Sequence, residues 1–130
     1  MTRRGDRIRG RRAHGGILLV PCLLNDAYRY WFLADTGAAI TMLSRPAAAE
    51  MGLDLSRPLR QEHIMSVHQM AWAPVVRLRS LRVGAQHVME IDALVLSFPE
   101  HLRIDGLLGV NVLERFRVTF EFDRSTLILR

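Results

Sequence analysis

Trp31-Phe32-Leu33-Ala34-Asp35-Thr36-Gly37-Ala38 is the stretch whose reading decides the fold. Its first four residues are apolar and read as the end of a buried strand. A carboxylate at that point loses hydration, which costs free energy unless the site uses it. Thr36 is β-branched and carries a hydroxyl able to brace a neighbouring loop. Gly37 admits backbone conformations closed to other residues, and Ala38 keeps the next position small. Ile40-Thr41-Met42-Leu43 then resumes a strand pattern. Asp and Gly are also common turn formers, so the tripeptide alone carries little weight and its surroundings carry more.

Upstream, Ile17–Leu24 reads as a strand, Asn25-Asp26-Ala27 as a turn, and Tyr28–Ala34 as the returning strand. Downstream, Ser44 stands at a helix N-cap position, Arg45-Pro46 opens the helix, Ala47–Met51 forms its body and Gly52 ends it. Leu53–Arg60 is polar and turn-rich. Glu62–Val67 and Met70–Val76 are expected as two strands around Ser66–Gln69, with Leu78–Val83 as a further strand and Gly84-Ala85-Gln86 as a turn. Met89, Ile91, Ala93 and Val95 alternate with Glu90 and Asp92, the pattern of a half-buried strand. Ser97–Ile104 is a loop or short helix. Asn111 followed by Glu114 predicts a helix capped by Asn111. Val118, Phe120 and Phe122 alternate with polar residues, Asp123-Arg124-Ser125 turns, and Thr126–Arg130 closes the chain as a strand. Many short strands with one or two short helices predict a mainly β domain, closed or sandwich-like.

The chain has 130 residues, enough for one core, and 49% hydrophobic with 24% charged residues, the balance of a soluble globular domain. No apolar run approaches the ~20 residues of a membrane-spanning helix. The net charge of +5 sits in one place: residues 1–14 hold six Arg and one Asp, and the remainder is formally neutral. Blocks of like charge repel and stay solvated, so residues 1–14 read as a disordered basic arm before a domain over 15–130. Nucleic acid is a conceivable partner only through that arm. The arm and Gly16–Leu24 together have the outline of a signal peptide. Pro21 breaks the apolar stretch, however, and no small-residue cleavage site follows. A cytoplasmic location is the expectation, with a secreted or periplasmic form left open. The single cysteine, Cys22, lies in an apolar run and reads as a small core residue. The five histidines (His14, His63, His68, His87, His101) show neither helical pairing nor a zinc-like interval to a cysteine, so no metal and no cofactor are expected.

Asp105-Gly106-Leu107-Leu108-Gly109 is the second constellation. An apolar pair followed by a glycine that permits close backbone approach, well downstream of Asp35-Thr36-Gly37-Ala38, resembles the lobe of an aspartic protease. With the helix closing at Met51-Gly52-Leu53, a hairpin, Leu81-Arg82-Val83-Gly84 and the ending Phe116–Asp123 in the same order, the chain from about Gly16 to Arg130 resembles the retropepsin-like aspartic proteases. The similarity is greatest to bacterial single-lobe proteins of the retroviral type. The resemblance implies a single-lobe, closed β-barrel acid-protease fold, with Asp35 as the catalytic residue and Thr36, Gly37 and Ala38 as the loop around it. Leu107, Leu108 and Gly109 would support that loop from behind, and Ser66, Val67, His68 and Gln69 would form the flap tip over a peptide substrate. With only one Asp-Thr-Gly in the chain, it also implies a homodimer in which two Asp35 carboxylates meet. Two departures stand out. No glycine lies between Leu53 and Val83, where such flaps carry them, and Asn111 stands where relatives often have Asp, a change expected to touch a helix cap. The missing glycines favour a rival reading, an inactive dimerisation or peptide-binding module of the same fold. Trp31 and Trp72 read as core or interface residues, and Asp105 as a turn residue or brace.

Overall fold

In the computed structural model, residues 5–65 and 70–130 are described. The expected flap tip, Ser66-Val67-His68-Gln69, lies outside them.

The opening hairpin forms as expected. Strand β3 (Ile17–Leu24) pairs antiparallel with β4 (Tyr28–Ala34), and Asn25 and Asp26 turn the chain with φ of 50° and 58°. Asn and Asp tolerate that left-handed region best among residues with side chains. Leu18, Val20, Cys22 and Leu24 point into the core, and burial pushes the Cys22 thiol well above its ordinary pKa, keeping it a neutral packing group. Strand β5 (Thr41–Ser44) leads into α1 (Arg45–Glu50), where the Ser44 side chain accepts from the Ala47 amide at 3.2 Å and Gly52 leaves at φ +69°. The two limbs of the next hairpin are β6 (Arg60–Met65) and β7 (Met70–Val83), in register from Arg60 opposite Val75 to Met65 opposite Met70. β7 is one continuous strand rather than two, and it pairs along its second half with β8 (Gln86–Leu96). Strand β9 (Gly106–Leu108), helix α2 (Val110–Leu113), β10 (Val118–Glu121) and β11 (Thr126–Leu129) complete the chain.

Pairing of β3 with β7 joins the ends of the run β3-β4-β9-β5-β8-β7, so these strands form a ring of ladders around the core. The fold is mainly β as expected, but the ring does not include every strand. A second sheet, in which an N-terminal strand β1 (Asp6–Arg9) and β10 flank β11, packs beside it.

That second sheet corrects the reading of the N-terminal arm. Asp6–Arg9 is strand β1, paired with β11 from Asp6 opposite Leu129 to Arg9 opposite Thr126, and Arg11–Ala13 is β2, paired with β3. Composition alone predicts a solvated tail. The alternation Arg7-Ile8-Arg9 instead sends Ile8 inward, where it is 4% exposed beside Leu127 and Leu129, and leaves both guanidiniums outside. The arginines are partly neutralised locally. Arg7 pairs with Glu121, and Arg12 donates to the Gly16 carbonyl at 2.6 Å and the Phe122 carbonyl at 2.5 Å. Arg11 lies over the Trp31 ring at 4.4 Å.

The expected alternation in β8 also shifts. Glu90 adopts φ +55°, so Val88 and Ile91 are both buried while Met89 is 52% exposed. A left-handed residue reverses the pleat, which a strict period of two cannot anticipate.

If β1 is structural, Ile8→Ala should destabilise the protein by about 2–4 kcal/mol through lost burial and a residual cavity. Urea unfolding followed by circular dichroism measures this; a freely solvated arm would leave the midpoint unchanged.

Candidate active site

β4 delivers Asp35 to the surface and β5 carries the chain away. Between them runs β9, parallel to β4 (Phe32 opposite Gly106, Ala34 opposite Leu108) and antiparallel to β5 (Met42 opposite Leu107, Leu43 opposite Gly106). One strand thus threads the two ends of the Asp35 loop. The fit requires glycine on both sides. A Cβ on Gly106 would lie 2.2 Å from the Met42 carbonyl oxygen, and one on Gly109 2.7 Å from the Ile40 carbonyl carbon and 2.8 Å from the Ala38 oxygen. Leu108 is fully buried and Leu107 partly so.

The loop is tied to this strand by its backbone. The Asp35 amide donates to the Leu108 carbonyl at 3.0 Å, the Val110 amide to the Ala38 carbonyl at 2.7 Å, and the Asn111 amide to the Ala39 carbonyl at 3.2 Å. Within the loop, the Gly37 amide donates to Asp35 Oδ1 at 2.8 Å, which orients the carboxyl group. A Cβ on Gly37 would stand 3.1 Å from that same oxygen. Asp35 is half-buried, Thr36 and Gly37 are exposed, and Ala38 is buried. Asp105 acts as a brace: its carboxylate accepts from the Trp31 amide at 2.9 Å, and its own carbonyl accepts from the Ser44 amide at 2.8 Å.

Two residues beneath the loop escape a sequence reading. Thr41 is completely buried, and Asn111 is not a cap. Helix α2 begins at Val110 with Gly109 as its N-cap, so Asn111 lies inside it and its side chain is free to reach sideways. Asn111 Oδ1 accepts from both the Thr41 amide and the Thr41 hydroxyl at 2.8 Å, while Nδ2 donates to the Asp92 carbonyl at 2.9 Å. Thr41 Oγ1 in turn accepts from the Gly109 amide at 3.1 Å. Asn111 therefore supports the loop rather than capping a helix, its neutral amide accepting from Thr41 through Oδ1 and donating to the Asp92 carbonyl through Nδ2 at once. The one available signal was Thr41 itself, a polar residue inside the apolar run Ile40–Leu43.

A cleft of about 430 Å³ separates the loop from the hairpin limb β6. Gly37, Ala38, Ile40, Met42 and Leu94 line one side, and Arg60, Glu62, His63 and Ile64 the other. Beyond Ile64 a second hollow of about 580 Å³ reaches Ala71, Trp72 and Pro99. Trp72 is 66% exposed and stacks on the His63 ring at 4.6 Å, so it is not a core residue. The base of the hairpin is clamped by charge: Arg60 donates to Asp92 at 3.0 Å and Arg77 to Asp92 at 3.1 Å. Partial burial alone would raise the Asp92 pKa, but the hydrogen bonds from Arg60 and Arg77 outweigh it and the carboxyl is held below its ordinary value. No cluster of His, Cys, Asp and Glu that could hold a metal occurs among the described residues.

A single lobe in which an Asp-Thr-Gly loop is laced to a Leu-Leu-Gly strand, facing a cleft under a β-hairpin, has the architecture of the aspartic proteases. A family model described as aspartyl protease matches residues 20–112, most of the chain, and the protein belongs to that family. Its fold is retropepsin-like. The structure is similar to a retropepsin-like aspartic protease from Rickettsia conorii (TM-score 0.76, 24% identity, covering 99% of this chain and 96% of that one). It is also similar to the EIAV protease complexed with the inhibitor HBY-793 (TM-score 0.57, 20% identity, 76% and 86% covered). No curated protein matches the sequence.

Asn111→Leu leaves the buried Thr41 amide and hydroxyl without their acceptor and should cost about 1–3 kcal/mol in a denaturant melt, with Asn111→Asp recovering part of it. Asp92 contributes stability above the ordinary carboxylate pKa near 3.9 and loses it as pH falls through its lower folded value. The stability difference between wild type and Asp92→Asn should therefore shrink from about 1 kcal/mol near neutral pH towards zero in acid, measured by melts from about pH 7 to pH 2.5.

Proposed function

We propose that the protein is an aspartic endopeptidase that works as a homodimer, with Asp35 of each protomer meeting its counterpart at a two-fold axis. The observation that carries this reading is the half-buried Asp35 carboxylate, oriented by the Gly37 amide and tied through its own backbone to Leu108. One chain supplies only one such loop. Two carboxylates within about 3 Å cannot both ionise, so the pair shares one proton. The ionised member takes a proton from water as the water oxygen bonds to the peptide carbonyl carbon. The protonated member donates to the carbonyl oxygen. Collapse of the tetrahedral species breaks the C–N bond, and the amine leaves with a proton from the dyad.

Thr36, exposed at the loop, would contact its counterpart across the axis, and Ala38 would line the site. The substrate is an extended peptide held by main-chain bonds between the loop and the hairpin over it, as an added strand is held. The walls formed by Ile40, Met42, Ile64 and Leu94 suit an apolar side chain.

A peptide library incubated with wild-type and Asp35→Asn protein between about pH 3 and 7 tests the reading, with the oligomeric state of both followed by sedimentation. The expected result is a dimer whose cleavage falls about a thousandfold or more in Asp35→Asn, as for loss of an acting acid–base group. A folded dimer without cleavage at any pH would instead support an inactive peptide-binding module, and a persistent monomer would remove the two-carboxylate site.

A further inference from the structure

The N-terminal strand creates a second concavity, remote from Asp35. Arg7 and Arg9 of β1, Arg29 of β4 and Arg82 of β7 line one groove of about 440 Å³, floored by Pro21 and Leu23 of β3. Among the described residues, no acidic side chain lines it. The register brings the arginines together. Leu23 stands opposite Arg29 on one neighbour and opposite Arg82 on the other, so the three share one face. Strands lie about 4.8 Å apart, which sets the Arg29 and Arg82 backbones about 10 Å from each other, within reach of a common anion for two such long side chains. Arg7 and Arg9 flank the buried Ile8 and emerge together on the opposite side of β1.

Of the nearby carboxylates, Glu121 pairs with Arg7 and Asp6 accepts from the Ala85 amide at 2.7 Å. Arg9, Arg29 and Arg82 have no carboxylate partner among the described residues. The same chain neutralises Arg60 and Arg77 with Asp92. Gathering three guanidiniums without a carboxylate partner in one concavity is unfavourable until an anion enters. Guanidinium forks suit the oxygens of phosphate, and apolar walls strengthen the attraction.

We infer that the groove between β1 and the β4-β3-β7 face is a binding site for a small multivalent phosphate anion, with Arg29 and Arg82 as its principal ligands. The site is independent of the protease reading. Titration calorimetry with inorganic tripolyphosphate at about 50 mM salt tests it, with ATP and a short single-stranded DNA as further arms and Arg57→Gln as a charge-matched control. Binding should weaken about tenfold or more in Arg29→Gln and in Arg82→Gln, and stay near wild type in Arg57→Gln and Asp35→Asn. The melting temperature without ligand should not fall in the two groove variants, because each removes like-charge repulsion. ATP binding with tripolyphosphate would mark the phosphate chain as the recognised group. Equal weakening in Arg57→Gln, binding of DNA but not of tripolyphosphate, or no binding at about 1 mM would overturn the site.

Discussion

Everything at the candidate active site depends on one constraint: β9 must pass between the strands that carry the Asp35 loop in and out. Gly106 and Gly109 are where that passage is tightest, since a Cβ at either would collide with backbone of β5 or of the loop itself. With the strand in place, the Asp35 amide, the Ala38 carbonyl and the Ala39 carbonyl all find partners on it or on the start of α2. A surface loop that would otherwise sample many conformations is reduced to one, and a half-buried carboxyl is held by backbone rather than by a neighbouring charge. Preorganisation of this kind is what a site needs if its acid–base groups are to act without first rearranging.

Thr41 and Asn111 carry the same constraint one layer deeper. Their hydrogen bonds join β5, α2 with its cap residue Gly109, and β8 in a set in which the Thr41 hydroxyl, the Gly109 amide and both ends of the Asn111 amide are satisfied. The chain of contacts reaches Asp92, whose carbonyl takes the Asn111 amide while its carboxylate holds Arg60 at the foot of the β6–β7 hairpin. The loop and the hairpin that face each other across the cleft are thus referenced to one residue on β8. Buried polar networks are costly when incomplete and specifying when complete; no buried side-chain polar atom among the described residues lacks a partner.

The arginines show how one residue type meets different fates in one fold. Arg60 and Arg77 share a carboxylate, Arg7 pairs with Glu121, Arg12 bonds carbonyls and Arg11 covers Trp31, whereas Arg9, Arg29 and Arg82 line a groove with no carboxylate partner among the described residues. Net charge sums over all of these. Its physical meaning is local, because attraction and repulsion fall off within about a Debye length of 8–10 Å.

What the sequence by itself determined was the series of local elements and the two motifs. Asn25-Asp26 turns a hairpin, Ser44 caps a helix that Gly52 ends, and Asp35-Thr36-Gly37-Ala38 stands in order with Leu107-Leu108-Gly109, because turn, cap and glycine chemistry act over a few residues and leave their mark in the residue types themselves. Only the tertiary structure decided the rest. Arg7-Ile8-Arg9 became a strand because β11, far along the chain, offered it an edge and an apolar face. Asn111 turned from a helix cap into a brace because Thr41 and Asp92 were brought beside it. Met89 faced outward because Glu90 adopted a left-handed backbone. Arg29 and Arg82 converged because β3 pairs with both of their strands. In the contact-driven cases, the deciding partner lies far away in sequence, and no window of neighbouring residues contains it.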